Sequence, residues 1–332
     1  MAEYLINATD LTKVASAIRE KGGTSAPLVY PAGFVSAIQA IQTGAPLQII
    51  VTTSAGATVT ATKDSKTVSG TADASGNCTL TVDETGAWTV TVTAGSMINT
   101  ADVVVGTANI DLIMSDPIFG NNSWADIIKA CQEKQVPDTW NVGDSCNMTI
   151  NGTDYQIDII GKNHDDYADG SGKAPLTFQM HNSYGTAYAM QSTSTNVGGW
   201  KECAMRKTHL PAILALMPAE VQSGIREVSK ITLSRDTAGI PTMDTTSDKL
   251  FLLSEIEVFN SIEYSTSGEG LQYAYYGASG STVKTLNGRD TSWWLRSPMS
   301  TSDYTFCASS VGGNQTNLRA TDERGAAFAF CF

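Results

Sequence analysis

Apolar and polar positions follow three different rhythms along this chain. Up to residue 44 they recur at helical spacing. Leu11, Val14 and Ile18 share one face behind Thr9, a suitable N-cap, and Gly22-Gly23 ends this first helix. Pro31 opens a second, with Phe34, Ile38 and Ile41 on one face and Gly44 at its close. A module of about 40 residues cannot bury enough surface to fold alone, so it is expected to pack on copies of itself or on a larger assembly.

From Leu47 the period changes to two. Residues 48–51, 58–60, 79–82, 88–92 and 102–105 are short β-branched runs, separated by Gly and Asp/Asn turns. Strands recurring at intervals of about ten residues predict a small all-β, Ig-like sandwich. It contains no catalytic constellation and reads as a spacer.

A third pattern begins at Asp116-Pro117. Ser123 is placed to cap a helix carrying Trp124, Ile127, Ile128 and Cys131, and Asn151-Gly152 marks a tight hairpin. Helices are expected over 200–207 and 210–225, a strand over 249–253, and a further helix behind the capping box Ser254-Glu255-Ile256-Glu257. Helices mixed with antiparallel strands over 116–332 predict an α+β domain. The chain is thus expected to be multidomain: a helical module (1–44), a sandwich (45–115) and an α+β domain (116–332).

The end of that domain is the most informative stretch. Trp293-Trp294-Leu295-Arg296-Ser297-Pro298 and Phe328-Ala329-Phe330-Cys331-Phe332 form stiff apolar frames around a small, polar interior, Ser300 to Arg324. Recognition surfaces are built from the same palette of Tyr, Ser, Asn and Gly. Trp293, Trp294 and Arg296 are expected to be structural. Tyr304, Arg319 and Arg324 are the expected anchors, since Tyr and Arg carry a disproportionate share of interface energy. For Tyr273, Tyr275 and Tyr276 a wall of the binding surface and ordinary packing both remain open.

Composition narrows the function. Of 332 residues only 16% are charged and the net charge is −12, without a basic stripe. Such a surface repels phosphate backbones, so no nucleic-acid partner is expected. Met1 to Leu5 lacks a secretory signal pattern and no apolar run is long enough to span a bilayer, so no membrane insertion is expected. The six cysteines show no zinc spacing and read as mostly buried thiols, with a Cys307–Cys331 bridge as the alternative. His164-Asp165-Asp166-Tyr167-Ala168-Asp169-Gly170 gathers carboxylates of the kind calcium prefers, but without the EF-hand spacing. No cofactor is expected, with calcium as the one metal this loop admits. His164, His181 and His209 stand in unlike contexts, and no P-loop, HExxH or nucleophile elbow occurs, so no enzyme is expected.

Two resemblances extend this reading. Tyr4-Leu5-Ile6-Asn7, Ala17-Ile18-Arg19-Glu20-Lys21-Gly22-Gly23-Thr24 and Pro31-Ala32-Gly33-Phe34-Val35-Ser36-Ala37-Ile38 look like the N-terminal module of tail and fibre proteins from phages of Gram-positive bacteria. Gly161-Lys162-Asn163-His164-Asp165-Asp166, Asp169-Gly170-Ser171-Gly172-Lys173, Leu250-Phe251-Leu252-Leu253-Ser254-Glu255, the tryptophan stretch and Arg324 to Cys331 are similar to a C-type-lectin-fold domain related to formylglycine-generating enzymes. That domain occurs in phage tail proteins and in variable proteins of diversity-generating retroelements. Ala326 and Phe328 depart from the family's usual closing pattern.

The resemblance implies a receptor-binding protein of a phage tail, assembled in the host cytoplasm and acting from the virion. Its partners would be a host cell-surface protein or glycan and other tail proteins, in a homo-oligomer for which a trimer is favoured. In that family, mutagenesis is confined to adenines, so AAC codons scatter into many residue types but never into Gln, Glu, Lys, Met or Trp. The implied ligand-binding residues are Ser302, Asp303, Tyr304, Thr305, Ala308, Ser309, Asn314, Thr316, Asn317, Arg319, Thr321, Asp322 and Arg324; Gln315, Glu323 and Met299 are excluded. The alternatives are a formylglycine-generating-type oxidase using Cys307 and Cys331, and a purely structural baseplate component.

Overall fold

A computed structural model describes residues 15–16, 47–105, 109–111, 115–278 and 280–332. The helical module expected over 1–44 therefore lies outside the described residues, apart from Ala15 and Ser16. The chain divides into two compact units, Met1–Gly95 with Thr100–Leu112, and Ser96–Asn99 with Ile113–Phe332. Among the described residues the fold is mostly β, arranged in several small sheets. No helix among them is long and apolar enough to cross a membrane.

In the first unit, β1 (Leu47–Thr52), β4 (Asn77–Val82) and β7 (Asn109–Asp111) form one sheet in the order β4-β1-β7. A second has the order β3-β2-β5-β6, from β2 (Thr58–Lys63), β3 (Lys66–Thr71), β5 (Gly86–Ala94) and β6 (Met97–Val105). Alternation sends Val59 and Ala61 inward opposite Val92 and Val90, while Ile49 and Val51 face inward opposite Leu80 and Cys78. The two sheets approach closely at Gly70, where a Cβ would lie 2.8 Å from Cys78 Sγ. The five expected runs fall within these strands. Two strands lie outside those runs: Lys66–Thr71, whose inward positions Lys66, Val68 and Gly70 are only half-buried and carry little apolar signal, and the three-residue β7.

The second unit opens with α1 (Trp124–Gln132), whose N-cap Ser123 accepts a hydrogen bond from the Asp126 amide. β8 (Ser145–Ile150) and β9 (Thr153–Lys162) form the expected hairpin, with Asn151 and Gly152 both at positive φ, 50° and 77°. With β10 (Leu176–Met180) and β18 (Ala329–Cys331) they make a sheet in the order β18-β10-β9-β8. Phe178 of β10 is its aromatic centre, stacked on Phe119 and Phe330 and met edge-on by Trp124.

Helical structure follows as α2 (Gly199–Glu202), a π-helical turn (Met205–His209), α3 (Leu210–Leu214) and α4 (Ala219–Gly224). Pro218 separates the last two and so divides the helix expected over 210–225. β11 (Val228–Arg235) pairs with β12 (Pro241–Asp248). The strand expected over 249–253 is instead irregular, meeting its neighbours through an isolated bridge between Phe251 and Ala329 and through the Leu253 carbonyl, which accepts from the Arg296 amide at 2.8 Å. Its apolar residues are buried without a ladder, which periodicity alone cannot distinguish from a strand. α5 (Glu255–Phe259) begins at the capping box of Ser254 and Glu257, and α6 (Ala274–Gly277) is one turn. β13 (Lys284–Leu286) and β14 (Arg289–Thr291) form a small hairpin. β15 (Trp293–Pro298), β16 (Thr305–Ser309) and β17 (Gln315–Arg319) complete the unit as a sheet in that order.

Candidate functional site

The C-terminal surface is built on β15, all six residues of which are buried. Trp293 Nε1 donates to the Thr282 carbonyl at 2.8 Å and Trp294 Nε1 to that of Tyr188 at 2.7 Å, so both indoles are fixed as well as packed. β16 pairs with β15 and is wholly buried; β17 lies at the sheet edge and is mostly half-buried.

The thirteen candidate residues do not form one patch. Thr305 pairs with Arg319, and the Ala320 amide donates to the Tyr304 carbonyl at 2.9 Å. This register brings Ser302, Asp303, Tyr304, Arg319, Thr321 and Asp322 together at the open end of the hairpin. Asp303, Tyr304, Arg319 and Thr321 are exposed there, Tyr304 at 46%. Asn314 is exposed at the turn end, about 17 Å from Arg319 at roughly 3.3 Å per strand residue. Thr316 and Asn317, both half-buried, lie between. Arg324 is half-buried; its backbone bridges Tyr188 and its guanidinium lies 3.4 Å from Asp322.

Three candidates require correction. Thr305, Ala308 and Ser309 are buried in β16, which is flanked by β15 and β17, and present no side chain to a ligand. Ser309 Oγ instead donates to the Thr282 carbonyl at 2.8 Å. Polarity suggested an exposed position, but a central strand buries both faces.

Two residues that sequence reading passed over hold this surface in place. Asn196, fully buried, donates its side-chain amide to the Ser302 carbonyl at 2.7 Å and to that of Thr305 at 2.9 Å, while its backbone amide donates to Asp303 O at 2.8 Å. Glu255, also fully buried, accepts from the amides of Tyr264 and Ser265 and from Gln315 Nε2 at 2.9 Å. Asn196 sits in a Ser/Thr-rich stretch that reads as a solvated loop. Glu255 lies inside a capping box, a motif that fixes a helix start and says nothing of which acid turns inward.

The carboxylates of the acidic loop turn to separate cationic partners. Asp166 pairs with Lys173 at 3.1 Å, Asp169 with Arg226 at 2.6 Å, and Asp165 turns inward to Lys230. His164, Asp165 and Glu257 do bring ligand atoms within 4.8 Å of one another. The ammonium of Lys230 already bonds that cluster, to Asp165, to Glu257 at 3.3 Å and to Tyr273 Oη at 2.9 Å. Arg296 grips Glu257 from the other side and donates to Thr232 Oγ1 at 2.9 Å and the Glu269 carbonyl at 2.6 Å. Burial alone would raise the Asp165 carboxyl, but Lys230 and the Thr177 hydroxyl hold it down at about 2. Glu257 is likewise lowered, by Arg296 and Lys230 against its burial. Glu269 is different: burial pushes it up to about 7 despite Arg296 and a bond from Ser297. These groups form an internally satisfied network beneath a cleft of about 400 Å³.

The remaining candidates also pack. Tyr273 is fully buried, and Tyr276 donates to Gln179 Oε1 at 2.6 Å, so neither forms a wall. Cys307 and Cys331 are buried free thiols, not a bridge, and burial raises both well above the ordinary thiol range.

Residues 177–331 match the family model described as Domain of unknown function (DUF6273). No curated protein and no solved structure matches the chain. The matched span runs from β10 to β18, and its first and last residues, Thr177 and Cys331, are paired across those two strands.

Proposed function

We propose that the protein is a non-enzymatic recognition protein of a phage tail. In this reading the second unit is a C-type-lectin-like domain that binds a host cell-surface ligand. The first unit is an Ig-like spacer, and residues 1–44 attach the chain to the tail or to its own copies, in a trimer. The observation that carries the reading is the open end of the β16–β17 hairpin, where Asp303, Tyr304, Arg319 and Thr321 stand exposed on a strand pair whose support is buried throughout. A rigid frame lowers the ordering cost of binding, and an exposed Tyr beside an Arg supplies anchors. A small polar patch binds weakly by itself; display in several copies adds about 10²–10⁴-fold in avidity where spacing matches. The oxidase alternative finds little support in two buried thiols with raised pKa.

The test is binding of the fluorescently labelled full chain to a panel of Gram-positive cells. Joint replacement of Tyr304, Asn317 and Arg319 by Ala is expected to abolish binding while leaving the circular dichroism and melting temperature unchanged. Cell binding that survives this replacement overturns the placement of the site. Binding to isolated tail proteins in place of cells favours the structural-component alternative.

A further inference from the structure

Helix α1 ends in a hydrogen-bond pattern that asks for glycine and contains lysine. The Gln135 amide donates to the Ala130 carbonyl at 2.8 Å and the Lys134 amide to Cys131 at 3.2 Å, the paired bonds of a Schellman motif. Lys134, at the position glycine usually holds, has φ +55°. An L-residue there is strained. A cation near a helix C-terminus is favoured by the dipole, which offsets only part of this cost.

Lys134 also faces a cleft of about 570 Å³, which it lines together with Val136, Asp138, Lys162, Asn163, Lys173 and Pro175. Lys173 is engaged by Asp166 and by the His164 carbonyl. Lys134 and Lys162 are exposed and have no side-chain hydrogen bond or ion pair among the described residues. Asn163, between Lys162 and His164, is also left-handed, at φ +49°. Two non-glycine residues at positive φ thus border one cleft with two unpaired ammonium groups and a third, Lys173, matched by Asp166, in a chain of net charge −12. Against these three cations stand Asp138 in the lining and Asp166 on Lys173, which leaves an excess of one positive charge to attract an anionic occupant.

We propose that this cleft binds an organic anion bearing a phosphate or carboxylate group. Lys134 and Lys162 would contact the anion as point charges, with Val136 and Pro175 against the body of the ligand. None of the thirteen candidate residues lines the cleft, so the proposal stands independently of the hairpin surface.

Calorimetric titration of the full chain with glucose 6-phosphate, glucuronate and neutral glucose tests it. At least one of the two anions is expected to bind, with affinity falling as salt is added, while glucose does not; which anion binds identifies the acidic group. Lys134→Gly and Lys162→Gln are each expected to weaken binding about two- to fivefold, the worth of an exposed ion pair. Lys134→Gly is also expected to melt no lower than the parent, since glycine relieves the strain. The proposal is overturned if neither anion binds, if glucose binds equally well, or if both variants keep the parent affinity.

Discussion

Gln315 Nε2 lies 2.9 Å from Glu255 Oε1, tying an edge strand to a carboxylate that solvent does not reach. Gln315 was one of the three residues excluded from the candidate set, and its side chain acts as a tether for the sheet carrying the others. Hydrogen bonds to charged groups are worth about 1.5–3 kcal/mol, so Gln315→Ala is expected to lose stability in that range. Gln315→Glu, which sets a second carboxylate against the first, should lose more. Urea midpoints would decide the matter, and an unchanged midpoint for both variants would show the contact to be idle.

Asn196 is predicted to be as important to the open end of the hairpin as any residue on it. Asn196→Ala removes the donors to the Ser302 and Thr305 carbonyls, two hydrogen bonds worth about 0.5–1.5 kcal/mol each, while the Thr305 carbonyl keeps the Met299 amide. Faster amide exchange is expected over 299–305, together with weaker cell binding. Exchange that stays at the parent rate would contradict this assignment.

For the buried network, removal of one partner should be far worse than removal of an exposed pair. Lys230→Met strands Asp165 and part of Glu257 without their cation, at about 3–5 kcal/mol. Lys63→Met, which loses exposed contacts to Glu84 and the Thr85 carbonyl, should cost much less. Equal melting temperatures for the two variants would refute the contrast.

Stability should depend on pH in two opposed ways. Glu269 is held up at about 7, above an unfolded value of about 4.3, so between these values the unfolded chain releases its proton first. Stability then falls by up to about 1.4 kcal/mol per pH unit as pH rises through that window. Asp165 is held down at about 2, so its contribution is present above about pH 4 and lost as pH falls. Denaturation curves of the parent and Glu269→Gln across pH 5–8 would test this; the variant should lose the upper-window slope, and identical slopes would rule out Glu269 as its source.

What could be read from the sequence followed the strength of local signals. Ser123, Asn151-Gly152 and the Ser254/Glu257 box each fix their element through bonds within a few residues, and all three appear where expected. Burial depends on neighbours distant in sequence. Thr305, Ala308 and Ser309 look like loop residues until β15 and β17 cover them. Asp165 reads as one carboxylate of an exposed loop until Lys230, distant along the chain, meets it in the interior. The cleft at Lys134 left no trace in composition, because its lysines are dispersed and only the end of α1 and the end of β9 bring them together.

The contacts Asn196 makes to residues 302, 303 and 305 all end on main-chain oxygens. Such a clasp does not register which amino acid it holds. Substitutions at Ser302 or Asp303 leave every one of those oxygens in place, so chemical identity at the tip can drift while its shape is inherited from a residue encoded far upstream.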